Sequence, residues 1–206
     1  VTVFANTNAI NCFLPEDLGD FLREHPRIRV SLEEHPSPAI IQSVASGQVE
    51  IGVVAAEGKL SGLETQAYRR DRLVVIVPAE HPLADRKALD FSEVLDQPFV
   101  CLHAGSAIHT FMMNTAAQLG GNLDVRIQVR SFNAVCRMVA AGVGIGMVPN
   151  SSIVAVDSLK TLKINDPWAP RDLQLCVRSR AALSSAAVAL FDHLAAKGDK
   201  QITADA

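Results

Sequence analysis

Residues 28–56 read IRVSLEEHPSPAIIQSVASGQVEIGVVAA, and this stretch decides the fold class. Apolar and polar residues alternate over Ile28–Leu32, a pattern that predicts a strand. Ser37 and Pro38 are typical of a helix start, and the helix that follows is predicted to end at Gly47. Ile51–Ala56 is apolar throughout, as are parallel strands that are covered on both faces. A strand, a helix and a strand in this order predict an α/β protein.

The same alternation of strands and helices continues on both sides of this stretch. Upstream, Val1–Ala5 reads as a buried strand and is followed by a polar loop, Asn6–Asn8, and by a helix that stops before Pro26. Downstream, a second α/β block contains the following predicted elements: strands Leu73–Val77, Phe99–Leu102, Val125–Val129, Ile145–Val148, Leu159–Ile164 and Leu173–Val177, and helices Ser106–Leu119, Asn133–Ala141 and Ser184–Ala196. The tail from Gly198 is polar and is predicted to fray.

Two blocks of similar length, with no Gly/Ser linker between them, predict two Rossmann-like α/β lobes around a ligand cleft. The strand runs Leu73–Val77 and Leu173–Val177 are the candidates for strands that cross between the lobes. We therefore expect lobe I to contain residues 1–72 and 177–206, and lobe II to contain residues 73–176.

Composition excludes several classes of function. The chain has 206 residues, of which 49% are hydrophobic and 20% are charged, so it can bury a sizeable core and is too apolar for intrinsic disorder. Its formal net charge of −3 gives no basic surface for phosphates, so this stretch is not expected to touch DNA. No run of apolar residues is long enough for a membrane span.

Catalytic and cofactor motifs are absent from the sequence. There is no nucleophile elbow, zinc-protease helix or phosphate-binding loop, and we expect neither a cofactor nor a metal site. The glycine-rich segment Gly142–Gly146 follows a helix and enters a strand, which is the reverse of a dinucleotide-binding loop and predicts a tight turn. The four cysteines have apolar neighbours, which favours buried, reduced thiols in a cytoplasmic protein.

Polar, uncharged residues follow the predicted strand ends in both blocks. Each alone is typical of an ordinary helix cap, but together they match the carboxyl-end position where open α/β sheets bind ligands. The candidate binding residues are Thr7, Asn8, Ser37, His103, Ser106, His109, Ser131 and Phe132. Phe132 would offer an apolar wall, and a protonated His103 or His109 would attract an anion. No paired carboxylates accompany this set, so we expect binding without catalysis.

At this point the sequence resembles the effector-binding domain of LysR-type transcriptional regulators. The resemblance covers nearly the whole chain and rests on segments in the family's order and spacing. These segments are Phe13-Leu14-Pro15 with the helix to His25-Pro26, Ser46–Val53, Leu73–Pro78 with His81–Ala84, and Val139–Pro149. The resemblance implies the two-lobed fold of type 2 periplasmic binding proteins, with two strands crossing between the lobes.

The resemblance also implies a role and partners. The family's effector pocket falls on the strand-end residues already named, so a polar or weakly anionic metabolite is the expected ligand. An N-terminal winged helix-turn-helix would precede Val1 and make the DNA contacts. Effector domains of the family pair as homodimers, through the helix from Ser37 and a helix near Ala134–Val139, and the whole proteins form homotetramers. Some members hold a carboxylate with an arginine after the third strand, where this chain has Val54-Ala55-Ala56.

Two alternatives stay open from the sequence. An exported solute-binding protein of a transporter has the same fold, and the coding sequence upstream of Val1 would distinguish it from a regulator. An enzyme on the same lobes is the other alternative, and the lack of a poised acid, base or nucleophile argues against it.

Overall fold

The computed structural model describes residues 1–56, 58–153 and 158–204. Backbone contacts divide the chain into two units: unit 1 is Val1–Asp71 with Arg171–Ala206, and unit 2 is Arg72–Pro170. The secondary-structure elements, in chain order, are β1 (Thr2–Ala5), α1 (Thr7–Cys12), α2 (Leu14–Glu24), β2 (Ser31–Glu34), α3 (Ser37–Ser46), β3 (Ile51–Ala55), β4 (Glu64–Pro78), β5 (Ala88–Leu89), β6 (Pro98–Leu102), α4 (Ala107–Gln118), β7 (Asp124–Val129), α5 (Phe132–Ala140), β8 (Ile145–Pro149), β9 (Leu159–Ile164), β10 (Pro170–Val177) and α6 (Ser185–Ala204).

Unit 1 is built on a sheet with the strand order β2-β1-β3-β10. Strand β1 runs parallel to both neighbours, with Val3 opposite Leu32 on β2 and Ile51 on β3. Strand β10 is antiparallel to β3. Helices α2 and α6 cover one face through buried side chains such as Phe21 and Leu190, and α3 covers the other through Ile40 and Val44.

Unit 2 has a mixed sheet in which β6 runs parallel to β7 and β8, and β4 runs antiparallel to β8 and β9. Alternate residues of β4 enter two different cores. Val75 and Val77 pack in one cluster, whereas Val74 and Ile76 pack in the other. Because both faces of this strand are covered, its residues 73–77 are apolar without a break.

The chain passes between the units twice, once within β4 and once at the start of β10. The first boundary lies between residues 71 and 72, one residue before the predicted position. The second lies between residues 170 and 171, not between 176 and 177. The reason is pairing: Leu173–Cys176 of β10 lie opposite Ala55–Gly52 of β3, so these residues belong to unit 1.

Several predicted elements differ at their ends. The polar loop expected at residues 6–8 is the start of helix α1, because the Asn6 side chain accepts a hydrogen bond from the Ala9 backbone N–H and caps that helix. The second strand begins at Ser31 rather than at Ile28. Helix α3 ends at Gly47 as predicted, in a left-handed conformation, but Pro36 and not Ser37 precedes its first residue. Helix α6 continues past Ala196 to Ala204.

The glycine-rich segment is the predicted turn from a helix into a strand. Gly142, with φ of 77°, follows α5, and β8 begins at Ile145. A Cβ on Gly144 would lie 2.2 Å from the carbonyl oxygen of Pro98, so the approach of β6 excludes any side chain there. The glycines therefore serve packing, not phosphate binding.

Candidate functional site

The carboxyl ends of β1, β2 and β3 form one edge of unit 1, because these three strands are parallel. The backbone N–H of Asn6, directly after β1, donates to the carbonyl of Val53 at 3.1 Å. The N–H of His35, directly after β2, donates to the carbonyl of Ala5 at 3.1 Å. These bonds hold the strand ends together, so the residues that follow them lie at a common edge.

Three of the predicted residues lie at this edge, and all three are half-buried. The Thr7 hydroxyl donates to Glu34 Oε1 at 2.7 Å. The Asn8 amide Nδ2 donates to Asp71 Oδ2 at 2.9 Å. The Ser37 hydroxyl oxygen accepts from the backbone N–H of Ala55 at 3.1 Å, which ties the start of α3 to the end of β3.

In unit 2 the carboxyl ends of β6 and β7 form the corresponding edge, with Leu102 opposite Val129. His103 is exposed, and its backbone N–H donates to the carbonyl of Val129 at 2.9 Å. Ser106 is buried and caps α4, since its hydroxyl accepts from the His109 backbone N–H at 3.2 Å. Ser131 caps α5 in the same way by accepting from the Ala134 N–H at 3.2 Å.

The two remaining predicted residues are buried in unit 2. His109 is 8% exposed and occupies the first turn of α4. Phe132, at 4% exposed, packs with Val100, Val135 and other residues in an apolar cluster. Its ring packs in the apolar core of unit 2 and has little exposed surface.

The end of β3 and the residue after it are Val54, Ala55 and Ala56, at the place where some LysR-type regulators have an arginine. The backbone N–H of Ala55 donates to Ser37, and the carbonyls of Ala56 and Gly58 accept from the Gln174 side chain at 3.0 and 2.9 Å. Three polar residues at the unit 1 edge, Glu34, Asp71 and Gln174, did not follow from the sequence pattern. Each lies in or beside a strand, and its partner is distant in the chain, so no local signal marks it.

Two buried side-chain atoms at these edges have no hydrogen-bond partner in the described part of the chain: Asn8 Oδ1 and His109 Nδ1. Buried polar atoms in native proteins are satisfied in the great majority of cases, so each exception calls for a specific reason. Both residues belong to the candidate binding residues named from the sequence. The geometry thus singles out Asn8 in unit 1 and His109 in unit 2.

A second polar cluster lies inside unit 1. The Asp17 carboxylate accepts from the Tyr68 hydroxyl at 2.5 Å and from the Arg69 guanidinium at 2.6 Å, and all three residues are buried. Burial, together with the hydrogen bond to Asp17 and the charge of Asp17, raises the pKa of Tyr68 far above its usual range. The cluster is a buried ion pair whose two charges lie next to each other.

The cysteines are not arranged as nucleophiles. All four are free thiols, as predicted, and three of them are buried. Burial raises the pKa of Cys101 to about 11 and that of Cys176 to about 12. A thiol of this kind is almost fully protonated at neutral pH and reacts slowly.

Among the residues that the structure describes, no group of three His, Cys, Asp or Glu side chains is placed to hold a metal ion. None of the described helices is both long and apolar enough to cross a membrane. The polar edges of the two units contain hydroxyls, amides, imidazoles and helix N-termini, and the unit 1 edge also contains the carboxylates of Glu34 and Asp71.

Comparison with known proteins gives one consistent result. The family described as the LysR substrate binding domain matches residues 1–199. The HTH-type transcriptional regulator YwbI of Bacillus subtilis is 27% identical over 183 residues, which are 88% of this chain and 61% of that protein. The RuBisCO operon transcriptional regulator of Allochromatium vinosum is 26% identical over 193 residues, which are 92% of this chain and 64% of that protein. The chain thus spans about three-fifths of the length of these relatives.

Solved structures agree on the fold. The regulatory domain of CcmR from Synechocystis PCC6803, in complex with 2-PG, superimposes with a TM-score of 0.79 at 24% identity and covers 96% of each chain. The effector binding domain of QuiR, in complex with shikimate, gives a TM-score of 0.74 at 21% identity and covers 97% of each chain. These likenesses confirm the predicted fold class.

The relatives are named as regulators of transcription, so the prediction of a binding domain is confirmed against the enzyme alternative, and the exported solute-binding protein is not favoured. Because the family match extends over residues 1–199 of 206, the chain belongs to the LysR substrate binding domain family.

Proposed function

We propose that this domain senses a small polar or weakly anionic metabolite for a LysR-type regulator, and that Thr7, Asn8, Ser37, His103, Ser106, His109, Ser131 and Phe132 contribute to binding. In the whole protein, binding of this metabolite would alter DNA binding and transcription. Such a regulator would act in the cytoplasm and would contact DNA through a winged helix-turn-helix outside the present sequence.

One observation carries the proposal: Asn8 and His109 each hold a buried polar atom without a partner. An unsatisfied buried group destabilises a protein by about 1–3 kcal/mol, and a ligand that supplies the missing hydrogen bond recovers part of that free energy. Both residues are also candidate binding residues from the sequence: Asn8 follows the first strand, and His109 ends the segment that the LysR-type resemblance assigns to the effector pocket.

Unit 2 supplies the features that favour a negative charge. Helices α4 and α5 begin at the carboxyl ends of β6 and β7, and their free N–H groups point along the helix axis towards that edge. Segments 102–110 and 129–137 contain no Asp or Glu. His109 lies in the first turn of α4, where side chains lean towards the helix N-terminus. Shikimate and benzoate, bound by the QuiR and BenM effector domains, are carboxylates.

A thermal-shift screen of a metabolite library tests the proposal, since a ligand of the native state raises the unfolding temperature by mass action. Calorimetry on the compounds that bind would then compare the wild type with Asn8→Ala and Ser106→Ala. Loss of one hydrogen bond is expected to weaken binding about 3- to 10-fold in each variant. A library without any binder, or unchanged affinity in both variants, would contradict the proposal.

Two matched controls separate binding from stability. Asn11→Ala removes an exposed amide from the same helix as Asn8, where it donates to the Thr7 carbonyl. Ser184→Ala removes a capping serine whose hydroxyl binds Glu50, and Glu50 lies at the amino end of β3, away from the strand ends. Both controls should keep the wild-type affinity.

We also propose that the domain forms homodimers, and the whole protein homotetramers, through α3 and α5. Ile40 and Val44 of α3 lie in the core of unit 1, and Val135 and Val139 of α5 lie in the core of unit 2, so these residues are not free for an interface. The apolar surface that remains on these helices includes Ile41, Ala45 and Met138. Sedimentation of the domain, with Ile41→Asp as the disrupting variant, should show a dimer that this variant converts to monomer.

A further inference from the structure

The buried guanidinium of Arg69 contacts more than its ion-pair partner. Its Nη2 donates to Asp17 Oδ2 at 2.6 Å and its Nη1 donates to the carbonyl of Tyr68 at 2.9 Å, so two hydrogen bonds hold the planar group in one orientation. The central carbon of the guanidinium lies over the ring of Phe13, 5.6 Å from the ring centroid. A cation in this position is attracted to the aromatic face by a cation–π interaction.

Phe13 is the corner between the first two helices. Its backbone N–H donates to the carbonyl of Ala9 and closes α1, and its carbonyl accepts from the backbone N–H of Asp17 in the first turn of α2. Helix α1 has six residues, which is too short for a helix to be stable without contacts to the rest of the fold. The position of α1 is therefore set by the residues that pack against it.

Strand β4 contacts α1 at two places. In the first turn of the helix, Asn8 donates to Asp71 at 2.9 Å, and at the end of the helix Phe13 packs against Arg69. Asn8 and Phe13 are separated by about 7.5 Å along a helix axis, and Arg69 and Asp71 are separated by about 6.7 Å along a strand. Because the two spacings agree, both contacts form at once, with α1 lying along β4. A shift of Phe13 would therefore displace Asn8 relative to Asp71.

We infer that Arg69 is a positioning residue for Asn8: held by Asp17, its guanidinium packs on Phe13 and fixes α1 along β4. The role of Asn8 in ligand binding rests on the proposed function, whereas the action of Arg69 on α1 rests on contacts within unit 1. The buried ion pair then sets the place of a candidate binding side chain, in addition to stabilising the core of unit 1.

Amide hydrogen exchange and NMR on the ligand-free domain test the inference. Arg69→Lys keeps a positive charge beside Asp17 but lacks the flat guanidinium that covers the Phe13 ring. Exchange of the backbone N–H groups of Ile10 and Phe13 in α1 should accelerate about 3- to 10-fold, whereas the N–H groups of α3 should keep their rates. The side-chain amide signal of Asn8 should shift, because its hydrogen bond forms for a smaller fraction of the time.

Two matched controls distinguish positioning from a general loss of stability. Tyr68→Phe removes the hydroxyl that donates to Asp17 but leaves the ring contact of Arg69, so it should lower the free energy of unfolding without accelerating exchange in α1. Arg180→Lys makes the same change elsewhere in unit 1, where a guanidinium pairs with an aspartate and lies 5.6 Å from the centroid of the Phe191 ring. This control should also leave exchange in α1 at the wild-type rate.

Phe13→Leu is a second test variant, because it keeps an apolar side chain but removes the aromatic face. It should reproduce the effect of Arg69→Lys on α1, and it decides the matter if Arg69→Lys does not fold. Unchanged exchange in α1 in either folded variant, or equal acceleration in the two controls, would overturn the inference. The measurement uses no ligand, so the inference can fail while the metabolite library yields a binder, and it can hold while the library yields none.

Discussion

Unit 1 and unit 2 stabilise similar α/β cores by different means. Among the described residues, the buried Asp and Arg side chains are Asp17 and Arg69, and both lie in unit 1. They form an ion pair, and the Tyr68 hydroxyl donates a hydrogen bond to Asp17. The core of unit 2 is held by apolar and aromatic contacts, such as those of Phe91 with Phe99 and Trp168. A buried ion pair is stable only when both partners are present, whereas an apolar core depends on the shape and volume of its side chains.

We expect substitutions in the buried ion pair of unit 1 to lower the free energy of unfolding more than substitutions in the apolar core of unit 2. Asp17→Ala leaves a buried guanidinium and a buried hydroxyl without their acceptor, so the free energy of unfolding should fall by about 3–5 kcal/mol. Denaturant unfolding measures this change. Asp20→Ala is the control, because Asp20 contacts Lys197 and Arg23 at a more exposed position and its loss should cost less than about 1 kcal/mol. Equal costs for the two variants would mean that the buried pair has no special role.

The apolar core of unit 2 should tolerate an apolar substitution that keeps the volume of the side chain but not one that reduces it. Met112 is 1% exposed in α4. Met112→Ala should reduce the free energy of unfolding by about 3 kcal/mol, whereas Met112→Leu, which keeps the volume, should cost less than about 1.5 kcal/mol. The parallel change in unit 1, Asp17→Asn, also keeps the volume yet should cost more than Met112→Leu. If Met112→Leu cost more free energy of unfolding than Asp17→Asn, the proposed difference between the two cores would be wrong.

The helix caps provide a comparison of smaller effects. Asn6 is 7% exposed and caps α1 in unit 1, whereas Ser131 is half-buried and caps α5 in unit 2. Each alanine substitution should reduce the free energy of unfolding by about 1 kcal/mol. Asn6→Ala should have the larger effect because it leaves a more deeply buried N–H without an acceptor. Thermal unfolding of the two variants, with Asn11→Ala as the exposed control, measures the difference.

Exposed ion pairs should contribute the least in both units. In unit 1, the hydrogen bond from Lys197 and then its charge lower the pKa of Asp20. In unit 2, the hydrogen bond from Arg86 and then the backbone N–H of Asp90 lower the pKa of Glu93. A carboxyl whose pKa is lower in the folded state stabilises the fold above its unfolded pKa, and that contribution disappears as the pH falls through the folded pKa.

Titration by NMR should therefore show the pKa of Asp20 rising in Lys197→Met and the pKa of Glu93 rising in Arg86→Met. Each variant should leave the carboxyl of the other unit unchanged. Added salt should reduce both effects, since exposed pairs are screened. A pKa that does not move with its partner would show that the ion pair does not form in solution.

Local patterns were sufficient for most of the architecture. The apolar run of Leu73–Val77 predicts a covered strand, and Gly47 and Gly142 predict the ends of α3 and α5, because these signals depend on residues close together in the chain. The ordered segments from Phe13 to Pro149 were sufficient to indicate the family. The strand-end position was sufficient to select Asn8, and the family resemblance added His109.

Tertiary structure decided what those residues do. Asn8 meets Asp71 across 63 positions of the chain, and Asp17 meets Arg69 across 52, so no local pattern predicts either contact. Because β10 pairs with β3, the unit boundary lies before residue 171, and Phe132 packs in the core of unit 2. The sequence by itself determined the kinds of elements and their order, since backbone propensity and periodicity act over a few residues. The direction of the Asn8 carbonyl depends on a partner brought near only by folding, and it was decided by the tertiary structure alone.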